Sequence, residues 1–360
     1  MLSTTADSTP KPSGRINESI FNTGFCRCSY FCFANYDFFQ KFAGQKKGSV
    51  MRKVIGIGET ILDIIFKDNK PVAAVPGGST YNAMVSLGRS GVSAAFISET
   101  GHDRVGDYII DFLRTNGVNA DSVSVFPESK SPVSLAFLNE NNDAEYIFYK
   151  DHPHDRLDFS VPDIHADDIV VFGSYYAVNP VIRAQVKGLL DMARDRGAII
   201  YYDVNFRPSH KNEIMRVTPN LIENLELSDI VRGSDGDFET LYGRRDADKV
   251  YKSDISFYCK NFICTRGAEP VVLFGRGGVR REYPVEPAGT VSTIGAGDNF
   301  NAGLVYGLIR YGITRDMIVS GLSAEQWDGV VAHALAFASE CCRDIYNYVS
   351  VEFGEKMKKQ

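Results

Sequence analysis

The chain has 360 residues, more than the roughly 100–200 of one ordinary domain, and 44% hydrophobic against 23% charged residues is enough for a sizeable buried core. A net charge of -6 gives no basic footprint for nucleic acid, and no polybasic run suits an anionic membrane surface. No apolar run reaches the ~18 residues of a membrane-spanning helix, so a soluble protein with small-molecule partners is expected.

Residues 1–50 begin polar and rich in Ser, Thr and Pro, then pass through an aromatic and cysteine cluster, Phe25 to Phe33, with neither helical nor strand period. They read as an unstructured extension or translated leader. Met51 is then the natural start, because Met51-Arg52-Lys53 leads straight into the first strand. The intact mass of the natively expressed protein checks this, and a product beginning at Met1 would contradict it. Cys26, Cys28 and Cys32 have no matching second cluster, so no metal site is read from them. Cys259, Cys264, Cys341 and Cys342 lie in apolar patterns and read as reduced thiols of a cytoplasmic protein.

From Val54 onward, strand-like runs alternate with helical patterns. The strands are expected at Val54–Gly58, Ala94–Ser98, Ile169–Phe172, Ala198–Asp203, Ile230–Arg232, Phe262–Thr265 and Val271–Phe274. The clearest helices are Tyr108–Asn116, Pro180–Arg196, Pro219–Leu225 and Asp237–Tyr242. Such alternation implies an α/β fold, doubly wound, with a mainly parallel sheet covered by helices on both faces. Two stretches break it, about 64–76 and 132–150. The second reads as a β-hairpin turning at Asn139–Glu145, and together they suggest a small β-sheet lid over a ligand at the carboxyl ends of the main strands.

Several segments carry chemistry. The Gly-x-Gly of Gly56-Ile57-Gly58 lacks the third glycine and opens no helix, so no nicotinamide site is expected there. Gly77-Gly78-Ser79-Thr80-Tyr81-Asn82-Ala83 places a glycine turn before a helix. Asp203-Val204-Asn205-Phe206-Arg207-Pro208 follows a strongly apolar strand, at the end where α/β proteins hold ligands. Ser234 to Gly243 reads as a cap and a short helix ending at glycine. Most informative is Thr293-Ile294-Gly295-Ala296-Gly297-Asp298, a glycine-rich turn that opens a helix. The first N–H groups of a helix lack internal partners, so this turn makes an anion cradle suited to a transferred phosphoryl group.

Thr293 through Asp298 with the downstream Gly303 resembles the signature of the ribokinase or PfkB family of carbohydrate kinases, and the resemblance covers roughly residues 52–350. It implies ATP-dependent transfer of the γ-phosphoryl group, carried as Mg-ATP, to a sugar hydroxyl. Asp298 would be the catalytic base and Gly295, Ala296 and Gly297 the anion hole, with Arg207 near the phosphate. Asp63, Gly77, Gly78, Asn82, Lys150, Asp203 and Asn205 would serve the sugar. Thr265, Gly267 and Ser339 would serve the nucleotide, and Asp237 would organise magnesium through water. Ser292 stands where the family usually has an aspartate that helps bind a monovalent cation, so cation dependence does not carry over. The Gly58-Glu59 opening and the Asp203–Arg207 segment are most similar to fructokinases. Ketodeoxygluconate or ribose stay open as acceptors, as does a non-catalytic sugar- or nucleotide-binding regulator on the same fold. The family also implies a domain over 51–352 and a homodimer formed through the lid.

Overall fold

Alternate side chains of Lys53–Ile57, the first strand, meet different neighbours: Val54 joins one buried cluster, Ile55 and Ile57 another. Both faces of this strand are therefore covered, which accounts for its nearly continuous apolar run. The computed structural model describes residues 52–139, 144–150, 161–286 and 289–360, all within one unit, Ser49–Gln360. The expectations for residues 1–50 and Met51 lie outside the described residues, as does most of the turn at 139–145.

In chain order the strands are β1 (Lys53–Ile57), β2 (Ile61–Lys67), β3 (Lys70–Gly77), β4 (Ser93–Gly101), β5 (Val118–Phe126), β6 (Val133–Leu138), β7 (Ala144–Tyr149), β8 (Ile169–Gly173), β9 (Ile199–Asp203), β10 (Ile230–Ser234), β11 (Phe262–Arg266), β12 (Glu269–Gly275) and β13 (Val279–Tyr283). The helices are α1 (Ser79–Arg89), α2 (Arg104–Thr115), α3 (Ser174–Val178), α4 (Arg183–Asp195), α5 (Ile214–Leu227), α6 (Asp235–Tyr242), α7 (Ala247–Val250), α8 (Ala296–Arg310), α9 (Arg315–Ser320), α10 (Ala324–Cys341) and α11 (Val351–Lys358).

The main sheet runs β13-β12-β11-β10-β9-β8-β1-β4-β5, parallel from β11 to β5, with β12 and β13 antiparallel at one edge. From β1 the chain builds outward to β4 and β5, then returns to β8 on the other side and proceeds to β11. That reversal puts a crevice at the carboxyl ends of β1 and β8, the usual ligand position in such sheets. Side chains from α1, α2, α8, α10 and α11 pack into one core layer, and those from α3, α4, α5, α6 and α7 into the other.

The second sheet, β3-β2-β6-β7, contains both expected lid segments, and β6 and β7 form the expected antiparallel hairpin. β2 and β3 turn at Asp68 and Asn69, whose φ values of 50° and 58° give the mirror-image turn that matches strand twist. β2 starts at Ile61, earlier than the expected 64, so Asp63 lies on a lid strand. Two other boundaries differ. α5 begins at Ile214 and passes through Pro219; the missing N–H costs the bond to the carbonyl of Met215, a residue that is 91% exposed and whose carbonyl can meet water. The packed chain also continues past 352, since Tyr306 Oη donates to the Met357 carbonyl of α11 at 2.8 Å.

Candidate active site

The loop 292–295 ends at Gly295, whose φ of 75° is left-handed and whose missing side chain leaves room for the Asn347 backbone; a methyl there would lie 2.7 Å from the Asn347 carbonyl oxygen. This sharp entry starts α8 with no side-chain cap: the Ala296 amide donates to the Thr293 carbonyl at 3.2 Å, and the first-turn amides that follow it have no capping side chain. Ser292 is buried and its Oγ accepts from the Ile294 amide at 3.1 Å, which braces the loop from within.

Asp298 follows on the first turn, 9% exposed. Its Oδ2 accepts from Asn82 Nδ2 at 2.8 Å, which joins α8 to α1, and Ser79 also bonds its carboxylate. Burial raises its pKa above the usual carboxylate range, while Asn82, Ser79 and the charge of Arg207 act in the opposite direction. A carboxylate so tuned is a competent base near neutral pH. The Asn82 amide oxygen is buried and unpartnered, an acceptor left for a hydroxyl. Gly77 and Gly78 form the junction between β3 and α1 that brings Asn82 here.

Asp63 approaches from the lid side, close enough to feel the charge of Asp298. It accepts from Ser134 Oγ on β6 and from Asn347 Nδ2 at 3.2 Å, and the Asn347 amide oxygen has no partner. Burial, reinforced by Glu59 and Asp298 against the two hydrogen bonds, pushes Asp63 up to about 6. The folded carboxyl thus keeps its proton to about pH 6, whereas an unfolded one releases it near about pH 3.9. The stability tied to that proton is fully present below the lower value and lost as pH rises through the upper one. Asp63→Asn should therefore unfold at a higher temperature than wild type at pH 8, by the equivalent of about 1–3 kcal/mol, with the gap closing toward pH 4. A gap in thermal midpoint that does not change with pH would refute the assignment.

The remaining expected residues divide. Lys150 reaches the crevice and pairs with Glu59, at the end of β1, while lying 5.0 Å over the Phe148 ring. Asn205, with φ 33°, donates to Ser174 Oγ at 2.8 Å, and Ser174 has φ 58°. Two left-handed non-glycine residues holding one another at the ends of β8 and β9 mark strain of the kind found at ligand sites. Arg207 is exposed and carries no ion pair among the described residues. Thr265 is the penultimate residue of β11, Gly267 forms its turn at φ 60°, and Ser339 is half-buried on α10, the helix packed on α8.

Asp203 ends β9, the expected strand end, but its oxygens are engaged there. Only 3% exposed, it accepts from Arg232 Nη1 at 2.9 Å with one oxygen and from Asn301 Nδ2 at 2.8 Å with the other, so it anchors the framework and turns no free atom to a substrate. Asp237 is likewise engaged, accepting from the Ser234 amide at 2.6 Å in a capping box that starts α6. Among the described residues no group of three His, Cys, Asp or Glu side chains could hold a metal ion.

Sequence reading missed Ser134, Asn347, Ser174 and Arg232, together with the half-buried Glu99 and the buried Tyr176. Burial pushes Glu99 up to about 7, and its Oε2 and the Tyr176 hydroxyl both lack partners. Ser174 directly follows the parallel strand β8 and Glu99 lies two residues before the end of β4, a positional signal that was available; Asn347 and Ser134 carried none.

The family model described as pfkB family carbohydrate kinase matches residues 51–345. Among curated proteins, a 5-dehydro-2-deoxygluconokinase from Geobacillus thermodenitrificans is 27% identical over 248 residues, covering 65% of this chain and 72% of that one. A fructokinase from Rhizobium leguminosarum bv. trifolii is 27% identical over 274 residues, covering 71% and 79%. Among solved structures, a Vibrio cholerae fructokinase in fructose-, ADP- and potassium-bound form superposes with a TM-score of 0.73 at 17% identity, covering 85% of this chain and 96% of that one. A Salmonella enterica aminoimidazole riboside kinase complexed with aminoimidazole riboside and an ATP analogue does so at 0.71 and 20%, covering 86% and 99%. These likenesses carry the ribokinase-like fold.

Proposed function

This chain belongs to the pfkB family of carbohydrate kinases, and from that premise we propose that it transfers the γ-phosphoryl group of ATP to a hydroxyl of fructose. The carrying observation is the contact between Asn82 and the buried Asp298 beside an uncapped glycine turn, which unites hydroxyl recognition, a base and an anion cradle. Asp63 and the free Asn82 oxygen orient the sugar, Asp298 accepts the proton of the attacking hydroxyl, and the amides of Gly295, Ala296 and Gly297 receive the charge on the transferred group. Arg207 adds a cation from the open side. The β3-β2-β6-β7 sheet closes over the crevice and limits hydrolysis by water.

Fructose is favoured by the fructokinase relatives, and the 5-dehydro-2-deoxygluconokinase relatives support a keto sugar acid as the competing acceptor. ADP release from the full chain across hexoses, pentoses, sugar acids and nucleosides decides between them. Turnover highest with fructose is expected; no sugar-dependent turnover in any case would defeat the reading.

With Asp237 in its capping box, the site suits magnesium that arrives on the nucleotide phosphates and meets Asp237 through water. Magnesium supplies charge neutralisation on those phosphates when bound. Because Ser292 carries no charge where a cation ligand would stand, activity should be nearly equal in sodium, potassium and a bulky organic cation; strong activation by potassium would contradict this. The apolar Val72, Ile147, Phe148 and Tyr149 exposed on the lid sheet support a homodimer through that sheet, and light scattering showing only monomer would refute it. Free thiols at Cys259, Cys264, Cys341 and Cys342 support a cytoplasmic setting.

A further inference from the structure

Among the described residues, Arg232 is the strongly buried cation behind the glycine turn that the mechanism above leaves unused. It lies on β10, in register with Asp203 of β9, and is 6% exposed. Its Nη1 donates to Asp203 Oδ1 at 2.9 Å and its Nη2 to Thr265 Oγ1 at 2.5 Å, while Nε has no partner. The guanidinium lies against the first turn of α8: a methyl on Gly297 would stand 2.9 Å from Nη2 and 3.2 Å from Nη1, and the carbon at its centre is 5.9 Å from the Phe300 ring. Burial disfavours its charge, but Asp203, Tyr201 and Asp237 outweigh that and raise its pKa above the ordinary arginine value, so it stays ionised.

A buried ion pair is poor value as a structural device, since well-packed apolar side chains of similar volume commonly stabilise a fold as well or better. What an apolar pair cannot supply is a fixed positive charge directly behind amides that receive an anion. We propose that Arg232 is a positioning residue of the phosphoryl site. It backs the Gly295–Asp298 turn with a buried positive charge and, through Thr265, holds the end of β11 in register with that turn. Asp203 is its counter-ion, which explains why both Asp203 oxygens face inward. Gly297 is then required for close approach, because any side chain there would push the guanidinium off the turn.

This inference rests on reading the turn as an anion hole, and the experiment separates the two. In the full-length chain, Arg232→Gln should lower kcat about 10- to 100-fold and leave the sugar KM within about threefold. Arg232→Gln combined with Asp203→Asn removes both charges and leaves two neutral amides, so neither partner is a buried unpaired charge. The double variant should regain much of the thermal midpoint lost in Arg232→Gln alone, yet keep the depressed kcat. Arg232→Lys retains charge with fewer hydrogen bonds and should hold kcat within about tenfold of wild type even where its midpoint falls. Recovery of kcat together with stability in the double variant would overturn the proposal, as would a folded lysine variant no more active than the glutamine one. If the wild type turns over no sugar, the kinase reading fails on its own, and inorganic phosphate becomes the probe. Phosphate should then raise the midpoint of the wild type more than that of the double variant, and equal shifts would refute the role of Arg232.

Discussion

Asp298→Asn is expected to lower kcat by about 10²- to 10⁴-fold, the range supplied by a well-placed general base, with the sugar KM little changed. The substitution keeps the size of the side chain and an oxygen for the Asn82 donor, so the fold should persist. Its thermal midpoint at neutral pH should equal or exceed that of wild type, because an ionised carboxylate buried to 9% exposure costs stability that a neutral amide does not. The pH dependence isolates the role. Asp63 is pushed up to about 6 and Asp298 is raised as well, so the profile of kcat/KM in the free enzyme mixes two interacting carboxylates. At saturating sugar the acid limb of kcat reports the occupied complex. That limb should lie above the ordinary carboxylate range, as burial of Asp298 dictates, and vanish from the residual activity of the asparagine variant. Full activity in the variant, or an acid limb that survives the substitution, would remove Asp298 from the proton transfer.

What the sequence revealed of this site was local, and what it concealed was long-range. The glycine turn could be read because its whole logic lies within six residues, Thr293 to Asp298: left-handed glycine, uncapped amides, carboxylate. The same holds for Ser234 and Gly243, whose cap and left-handed stop appear as expected. By contrast, Asn82 meets Asp298 across 216 residues and Asp63 meets Asn347 across 284, and no periodicity announces such a partner. Asp203 was misread for this reason. At a strand end a carboxylate suits a ligand, and only the arginine one strand over, with Asn301 on α8, shows that its oxygens are committed. The strands missed, β5 and β13, lie at the two edges of the main sheet, where one side is solvated. Polar Asn119, Asp121 and Ser122 interrupt β5, and Arg280, Arg281 and Glu282 fill β13. Such charge protects an edge from unwanted pairing while erasing the apolar run that identifies a strand.

Arg207→Ala should cost about 10²- to 10³-fold in kcat with almost no loss of thermal stability, a separation that follows from its place at the surface. The side chain is exposed and has no ion pair among the described residues, so the folded protein loses little when it is shortened. Its charge nonetheless reaches Asp298, which it helps keep ionised, and Tyr146 on the lid strand β7. Two contributions are therefore mixed in the lost rate. Without Arg207 the pKa of Asp298 rises further, moving the acid limb of kcat to higher pH; raising the pH reverses that part. Contact with the transferred phosphoryl group is independent of pH, so its loss persists on the alkaline plateau. A variant that regains wild-type kcat on the plateau would restrict Arg207 to tuning the base. A deficit that remains there, partly relieved in Arg207→Lys, places its charge on the phosphoryl group itself. The combination of a lid-facing cation in solvent and a buried base then has a physical reason. Arg207, exposed in the segment after β9, can change rotamer without disturbing the core, whereas Asp298 is buried and held by Asn82 on the first turn of α8.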